Sequence, residues 1–203
     1  MLDFSDLDTS PIQGVNSATI AAKIATYFAT QAGISVGFVG ASKSDSLSSS
    51  VLAFTKPDGT VYINTNGGIS KLLNNFDNLM NVLKHEQFHQ IEFADKKKTN
   101  FETHVNVYLR QFTDPTFTNT TAEFKLGQVA SLSNYLMNMD RNDPNNEYGR
   151  NTIINKINEF NQLNNGYQIY NDKPFSLNPK ELQLSIMDNN GKIYDVDYNP
   201  AKN

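Results

Sequence analysis

The sequence predicts an α+β fold in which a small antiparallel sheet packs on a long helix, followed by a mainly helical region and a C-terminal β-hairpin. Two turn signals, Lys56-Pro57-Asp58-Gly59 and Asn189-Asn190-Gly191, each lie between strand-like segments. Several segments with helical periodicity separate these two predicted hairpins. With 203 residues, of which 38% are hydrophobic and 19% charged, the chain can form a hydrophobic core.

The N-terminal part is predicted to hold two helices and three strands. Its hairpin is predicted from the turn, because Pro57 pre-sets the backbone and Gly59 supplies a positive φ. In chain order the predicted elements are a helix over 17–31, a strand over 34–39, a polar loop over 41–50, hairpin strands over 51–55 and 60–64, and a helix over 70–94.

The C-terminal part is predicted to be mainly helical and to end in a second hairpin. Asp114-Pro115 ends one of its helices, because a residue that precedes proline is disfavoured in the helical region. We expect one domain over 1–203, with an N-terminal lobe over about 17–95 and a helical lobe over about 100–203. Its predicted elements are helices over 100–112, 120–139 and 151–163, and hairpin strands over 182–187 and 192–198.

Composition excludes several classes of protein. The chain has no Cys, which excludes disulfides and thiolate metal sites. A net charge of -4 and a pI near 5.3 favour no nucleic-acid partner. No apolar run reaches the length of a membrane span, and the acidic N-terminus does not look like a signal peptide. Localisation stays open: the sequence fits a cytoplasmic protein or a segment secreted as part of a larger one.

A metal-binding motif stands out because histidine is scarce. The chain has three histidines, and two of them form His85-Glu86-Gln87-Phe88-His89. Positions i and i+4 lie on one face of a helix, so His85 and His89 can bind the same zinc ion. Glu86 is rotated by about 100° from His85, where it can serve as the general base that acts on a zinc-activated water.

The helix that carries the motif is expected to turn its active face inward. On a helical wheel the apolar residues fall broadly on the side of Glu86 and His89, which predicts a site facing the interior or a cleft. Glu92 and Asp95, further along the helix, are expected to be solvated. The apolar residues are Leu79, Val82, Leu83 and Phe93.

A catalytic zinc ion usually has three protein ligands and one open position. The best candidate for the third ligand is Glu102, at the start of the next predicted helix. The alternative metal ligand is His104, which chemistry alone would accept equally well. The two residues flank the predicted buried face of that helix on opposite sides, so the helical pattern leaves both possibilities open.

The motif, a short spacer and then Glu102-x-x-x-Asn106 at a helix start resemble the gluzincin metallopeptidases. The resemblance covers about residues 60–112. It is greatest to the short-spacer kind found in ImmA/IrrE-like peptidases and in metallopeptidase domains of bacterial polymorphic toxins. It implies a zincin-like fold, Glu102 as the third zinc ligand, and Asn106 as a second-shell partner of a ligand histidine.

The predicted function is zinc-dependent hydrolysis of a peptide or protein substrate, with Glu86 as the general base. The segment 60–64, just before the metal helix, is a candidate edge strand on which substrate would pair. One alternative is an effector or toxin protease module of a larger secreted bacterial protein, with an inhibitor or immunity protein as partner. Another is a non-catalytic binding module that a metal stabilises.

Overall fold

The fold is described from a computed structural model, over residues 17–31, 39–42, 48, 50–66, 69–95, 100–141, 149–171 and 182–199. Helices and strands alternate irregularly along the chain, which confirms the predicted α+β class. The described elements are α1 (Ser17–Gln31), β1 (Val39–Ser42), β2 (Ala53–Thr55), β3 (Val61–Asn64), α2 (Phe76–Ala94), α3 (Phe101–Thr113), α4 (Ala122–Arg141), α5 (Gly149–Gln162), β4 (Tyr167–Asn171), β5 (Leu184–Asp188) and β6 (Ile193–Asp195).

The chain divides into two compact units. The first comprises residues 1–98 and 114–121, and the second comprises 99–113 and 122–203. The first unit therefore holds α1, α2 and one sheet, whereas the second holds α3, α4, α5 and the other sheet. Among the residues described, no helix is long and apolar enough to span a membrane.

The sheet of the first unit is mixed, with the strand order β1-β3-β2. The predicted antiparallel pairing of β2 with β3 is confirmed, and β1 adds a parallel strand on the other side of β3. The expectation that 60–64 forms a sheet edge is therefore wrong, because both sides of β3 are paired. On the hairpin side the edge strand of the sheet is β2, which packs against α2.

The first hairpin closes as its turn residues predict. Gly59 has a φ of 83°, and the Lys56 amide donates to the Thr60 carbonyl at 2.9 Å. The strand predicted over 34–39 differs in its bounds. β1 runs from Val39 to Ser42 and includes two residues, 41 and 42, that were predicted to lie in the loop. The remainder of that prediction, 34–38, lies outside the described residues. β1 is set by its pairing with β3, which local sequence does not reveal.

The helix predicted over 70–94 is two elements. A short 3-10 helix covers Lys71–Asn74, and α2 begins after Asn75. Asn75 has an extended backbone, and its side-chain oxygen accepts the Asn78 amide at 3.0 Å. An asparagine that caps in this way starts a new helix, because its side chain replaces a backbone acceptor.

Within the first unit, two buried asparagines on α2 form hydrogen bonds with the segment 114–121. The Asn78 side chain accepts the Thr121 amide at 2.9 Å and donates to the Thr121 hydroxyl at 3.1 Å. One turn later, Asn81 donates to the Thr116 hydroxyl at 2.9 Å. These bonds satisfy side chains that would otherwise be costly to bury. They explain why polar residues occupy the buried positions 78 and 81 of α2.

In the second unit, α3 packs on α4, and both α4 and α5 contact the sheet β4-β5-β6. The predicted terminal hairpin is confirmed by the pairing of β5 with β6, and Gly191 has a φ of 78° in its turn. β4 was not predicted; it forms because all five of its residues pair with β5 further along the chain. The largest fully buried side chains of this unit are Phe124, Leu132, Leu136, Met137, Met139, Ile153, Phe160 and Ile169.

Candidate metal centre

The metal-binding motif lies in the middle of α2, shortly after the continuously buried stretch 78–83. Leu79, Val82 and Leu83 are buried within the two turns before it, as the helical wheel predicts. His85 is 7% exposed and His89 is 6% exposed, so both imidazoles are turned away from solvent. The expectation that the site faces inward is therefore consistent with the burial of the motif.

The two imidazoles converge through the same ring atom. His85 Nε2 and His89 Nε2 are 3.2 Å apart, and the ring planes are inclined by 68°. Two nitrogens that bind one zinc at about 2.0–2.1 Å in tetrahedral geometry stand about 3.3–3.4 Å apart. The spacing of this buried pair therefore fits a shared divalent ion.

The Glu86 carboxylate is buried beside this pair, at 4% exposure. The Thr55 hydroxyl lies 2.7 Å from Glu86 Oε2 and 3.1 Å from the Glu86 carbonyl oxygen. Burial raises the pKa of Glu86, while the charge of His89 and the hydrogen bond from Thr55 lower it. Glu86 therefore holds a proton more readily than an exposed glutamate, a property useful in proton transfer.

A second buried carboxylate lies on the far side of His89. Glu92 is 8% exposed, and its Oε2 is 3.5 Å from His89 Nδ1. The expectation that Glu92 is solvated is wrong, because at i+3 it shares the buried face with His89. Asp95, by contrast, is exposed as expected. The i+3 spacing was a signal that could have identified Glu92 from sequence.

The hairpin β2–β3 is attached to the motif at two points. Besides the Thr55 contact, the Gln90 side-chain amide donates to the Gly59 carbonyl at 2.6 Å. Glu86 and Gln90 are one helical turn apart, so both attachments lie on one side of α2. Sequence reasoning did not identify Thr55 or Gln90, because no local pattern relates a strand residue to a helix 31 positions away.

The remaining predicted site residues lie on α3, in the second unit. Glu102, His104 and Asn106 are all half-buried there. Within this unit, the His104 ring stacks on Tyr135 with 4.0 Å between centroids and 13° between planes. Glu102 and Asn106 are one helical turn apart and share a side of α3. Their roles toward a metal remain predictions.

A helix that buries two converging imidazoles next to a carboxylate has the chemistry of a metal-dependent hydrolase. The sequence model of the family described as metallopeptidase toxin 2 matches residues 2–170. The chain belongs to this family, so it is a metallopeptidase toxin domain, and the family implies a metal ion. No curated protein and no solved structure matches the chain significantly.

The family assignment confirms the resemblance at its general level. It is the toxin kind of metallopeptidase that matches, in agreement with the alternative of a toxin protease module. The match extends well beyond residues 60–112, on which the resemblance was founded, and covers α4 and α5 as well.

Proposed function

We propose that this domain hydrolyses peptide bonds with the help of a zinc ion held by His85, His89 and Glu102. The observation that supports the proposal best is the buried Nε2 pair, 3.2 Å apart, with the Glu86 carboxylate on the same helix. Imidazole nitrogens suit zinc better than they suit calcium or magnesium, which prefer oxygen ligands. The absence of cysteine leaves histidine and carboxylate as the ligands available.

In the proposed reaction, Glu86 takes a proton from the attacking water and delivers it to the leaving amine. When bound, zinc supplies Lewis-acid polarisation and lowers the pKa of water. The Thr55 hydroxyl contacts Oε2 of Glu86, so we assign the proton transfer to Oε1. Holding the carboxylate in one orientation keeps it ready for the reaction without a rearrangement at each turnover.

We propose that the substrate binds in an extended form along β2. This strand is at the edge of its sheet, and its last residue, Thr55, contacts the proposed general base. An extended peptide that pairs with an edge strand obtains backbone hydrogen bonds that do not depend on sequence. This arrangement replaces β3, which is central in the sheet, as the substrate strand.

The alternative of a non-catalytic, metal-stabilised module explains less of the site. A structural metal needs ligands but no unligated carboxylate beside them. Burying the Glu86 carboxylate, which Thr55 contacts, is costly. A catalytic role for the carboxylate accounts for this cost, whereas a purely structural metal site does not. As a toxin domain, the protein is proposed to act on a peptide or protein of a target cell, and to be restrained by an inhibitor or immunity protein in the cell that makes it.

Metal analysis and peptide cleavage test the proposal together. We expect the wild-type protein to purify with zinc and to cut a mixture of unstructured peptides, producing new termini detectable by mass spectrometry. Glu86→Gln should keep the zinc and lower hydrolysis by about 100- to 10,000-fold, the usual contribution of a general base. His89→Ala should lose the zinc.

The matched control is Glu123→Gln, the same chemical change at an exposed helical position. It should behave as wild type in both measurements. Full hydrolysis by Glu86→Gln would show that the general base is wrongly assigned. Zinc retained by His89→Ala would show that the metal lies elsewhere.

A further inference from the structure

We infer that Glu92 is a positioning residue that fixes His89 in the tautomer required for metal binding. The inference rests on the proposed function, and it adds a residue to that site. Its basis is the direction in which the two nitrogens of one imidazole face. Nε2 of His89 faces His85 at 3.2 Å, whereas Nδ1 faces Glu92 Oε2 at 3.5 Å.

The position of Glu92 makes it a poor metal ligand. The proposed ion is shared through the Nε2 atoms, and Nδ1 points away from Nε2 across the imidazole ring. Glu92 contacts the Nδ1 side, so its carboxylate is separated from the ion by the ring itself. A group in this place acts on the ligand rather than on the metal.

The Glu92 carboxylate needs a donor. Glu92 is 8% exposed, and among the described residues no hydrogen bond is made to its buried Oε2. A buried carboxylate oxygen without a donor is strongly unfavourable. A proton on His89 Nδ1 meets this need with a small closure of the 3.5 Å distance, and it leaves Nε2 free to accept.

The tautomer of His89 has a consequence for His85. The two Nε2 atoms are close enough for a hydrogen bond, and such a bond holds a single proton. If His89 carries its proton on Nδ1, then Nε2 of His89 is the acceptor and His85 is the donor. In the metal-free protein the hydrogen bonds therefore run in one direction: His85 donates to His89, and His89 donates to Glu92.

The tautomer of His89 favours metal binding, whereas His85 has to release its Nε2 proton or move it to Nδ1 when the ion arrives. Nε2 of His89 presents a lone pair before any ion arrives, so no proton has to move within that ring. A carboxylate that accepts from the remote N–H also makes the imidazole a more basic ligand. Removal of such a partner typically weakens metal affinity by about 10- to 100-fold.

Nuclear magnetic resonance of the metal-free protein tests the tautomer directly. With nitrogen-15 in the histidines, at about pH 8, where imidazoles are ordinarily neutral, we expect the His89 proton on Nδ1 and the His85 proton on Nε2. A His89 proton on Nε2 would overturn the inference. This measurement needs no metal and no activity, so its failure would leave the proposed hydrolysis untouched.

Two substitutions extend the test to zinc affinity, measured by competition with a chelator. Glu92→Met removes the acceptor at similar size and should weaken zinc binding by about 10- to 100-fold, with His89 losing its preference for Nδ1–H. Glu92→Gln keeps an acceptor oxygen and should retain the tautomer and fall between Met and wild type. A purely structural carboxylate would leave zinc affinity unchanged in a folded Met variant.

The matched control is Asp77→Asn, which removes the same charge from the first turn of the same helix. It should bind zinc as the wild type does. Wild-type affinity in both Glu92 variants would refute the positioning role, and a complete loss of zinc in both would make Glu92 a ligand instead. If the Met variant does not fold, the Gln variant and the wild-type spectrum still decide the question.

Discussion

The two helices that carry the predicted metal ligands, α2 and α3, bury different kinds of residue. Of the ten buried residues of α2, six are polar or charged, and these include His85, Glu86 and His89. The buried residues of α3 are apolar or aromatic except for Gln111, and Glu102, His104 and Asn106 are only half-buried.

The difference shows how each helix is stabilised. α3 is an amphipathic helix, and its stability comes from the burial of a hydrophobic face. α2 needs specific partners for its buried polar groups, which Thr55, Thr116 and Thr121 supply from other segments. A substitution on α2 is therefore expected to affect stability or chemistry through a lost hydrogen bond, whereas substitution of the half-buried Glu102 or Asn106 on α3 should matter through the metal.

The largest expected effect tests whether α3 takes part in the site. We expect Glu102→Ala to weaken zinc binding by more than about 100-fold, beyond the usual effect of removing a group that only hydrogen-bonds to a ligand. Asn106→Ala should weaken it by about 10- to 100-fold, as loss of a partner of a ligand histidine does. Chelator competition measures both.

His104→Ala is the matched comparison on the same helix, and because the proposal assigns the third ligand to Glu102, zinc affinity should stay within about threefold of wild type. The opposite result, with His104→Ala losing zinc and Glu102→Ala keeping it, would make His104 the third ligand. The contrast between the helices would then hold for burial but not for the choice of ligand.

The next effect concerns stability and compares an asparagine from each helix. Asn78→Ala removes a buried side chain with bonds to Leu72 and Thr121, and we expect it to lower the free energy of unfolding by about 3 kcal/mol. Asn106→Ala, at a half-buried position, should change it by less than about 0.5 kcal/mol. Urea denaturation followed by circular dichroism provides the measurement. Equal losses in the two variants would contradict the proposed contrast.

The smallest effect separates chemistry from folding on α2. Thr55→Val keeps the shape of the side chain but removes the hydroxyl that contacts Glu86. We expect kcat to fall about tenfold, which corresponds to about 1.4 kcal/mol and lies near the lower end of what a hydrogen bond to a charged group contributes. Zinc content should not change, and Thr55→Ser should restore most of kcat. A Val variant with unaltered kcat would show that Thr55 has only a structural role.

Much of the fold could be predicted from sequence because its signals are local. The bounds of α1 match the prediction, and both hairpins form around glycines with positive φ. The predictions fail where the bounds of an element depend on residues that the local pattern does not include. β4 and the position of β1 depend on partner strands, and the break before α2 depends on the Asn75 cap. The central position of β3 is likewise a property of the assembled sheet.

The sequence by itself determined the metallopeptidase motif, because one helical turn necessarily places His85 and His89 on the same face. It also determined that thiolate chemistry is absent, since the chain has no cysteine. Only the tertiary structure decided which groups hold the motif in place. Thr55 reaches Glu86 because β2 packs on α2, and Glu92 turns toward His89 because that face of the helix is buried. The Thr55 contact depends on packing between distant segments, and no spacing along the chain encodes it. The i+3 spacing permits the Glu92 contact, but only the packing decides that this face is buried.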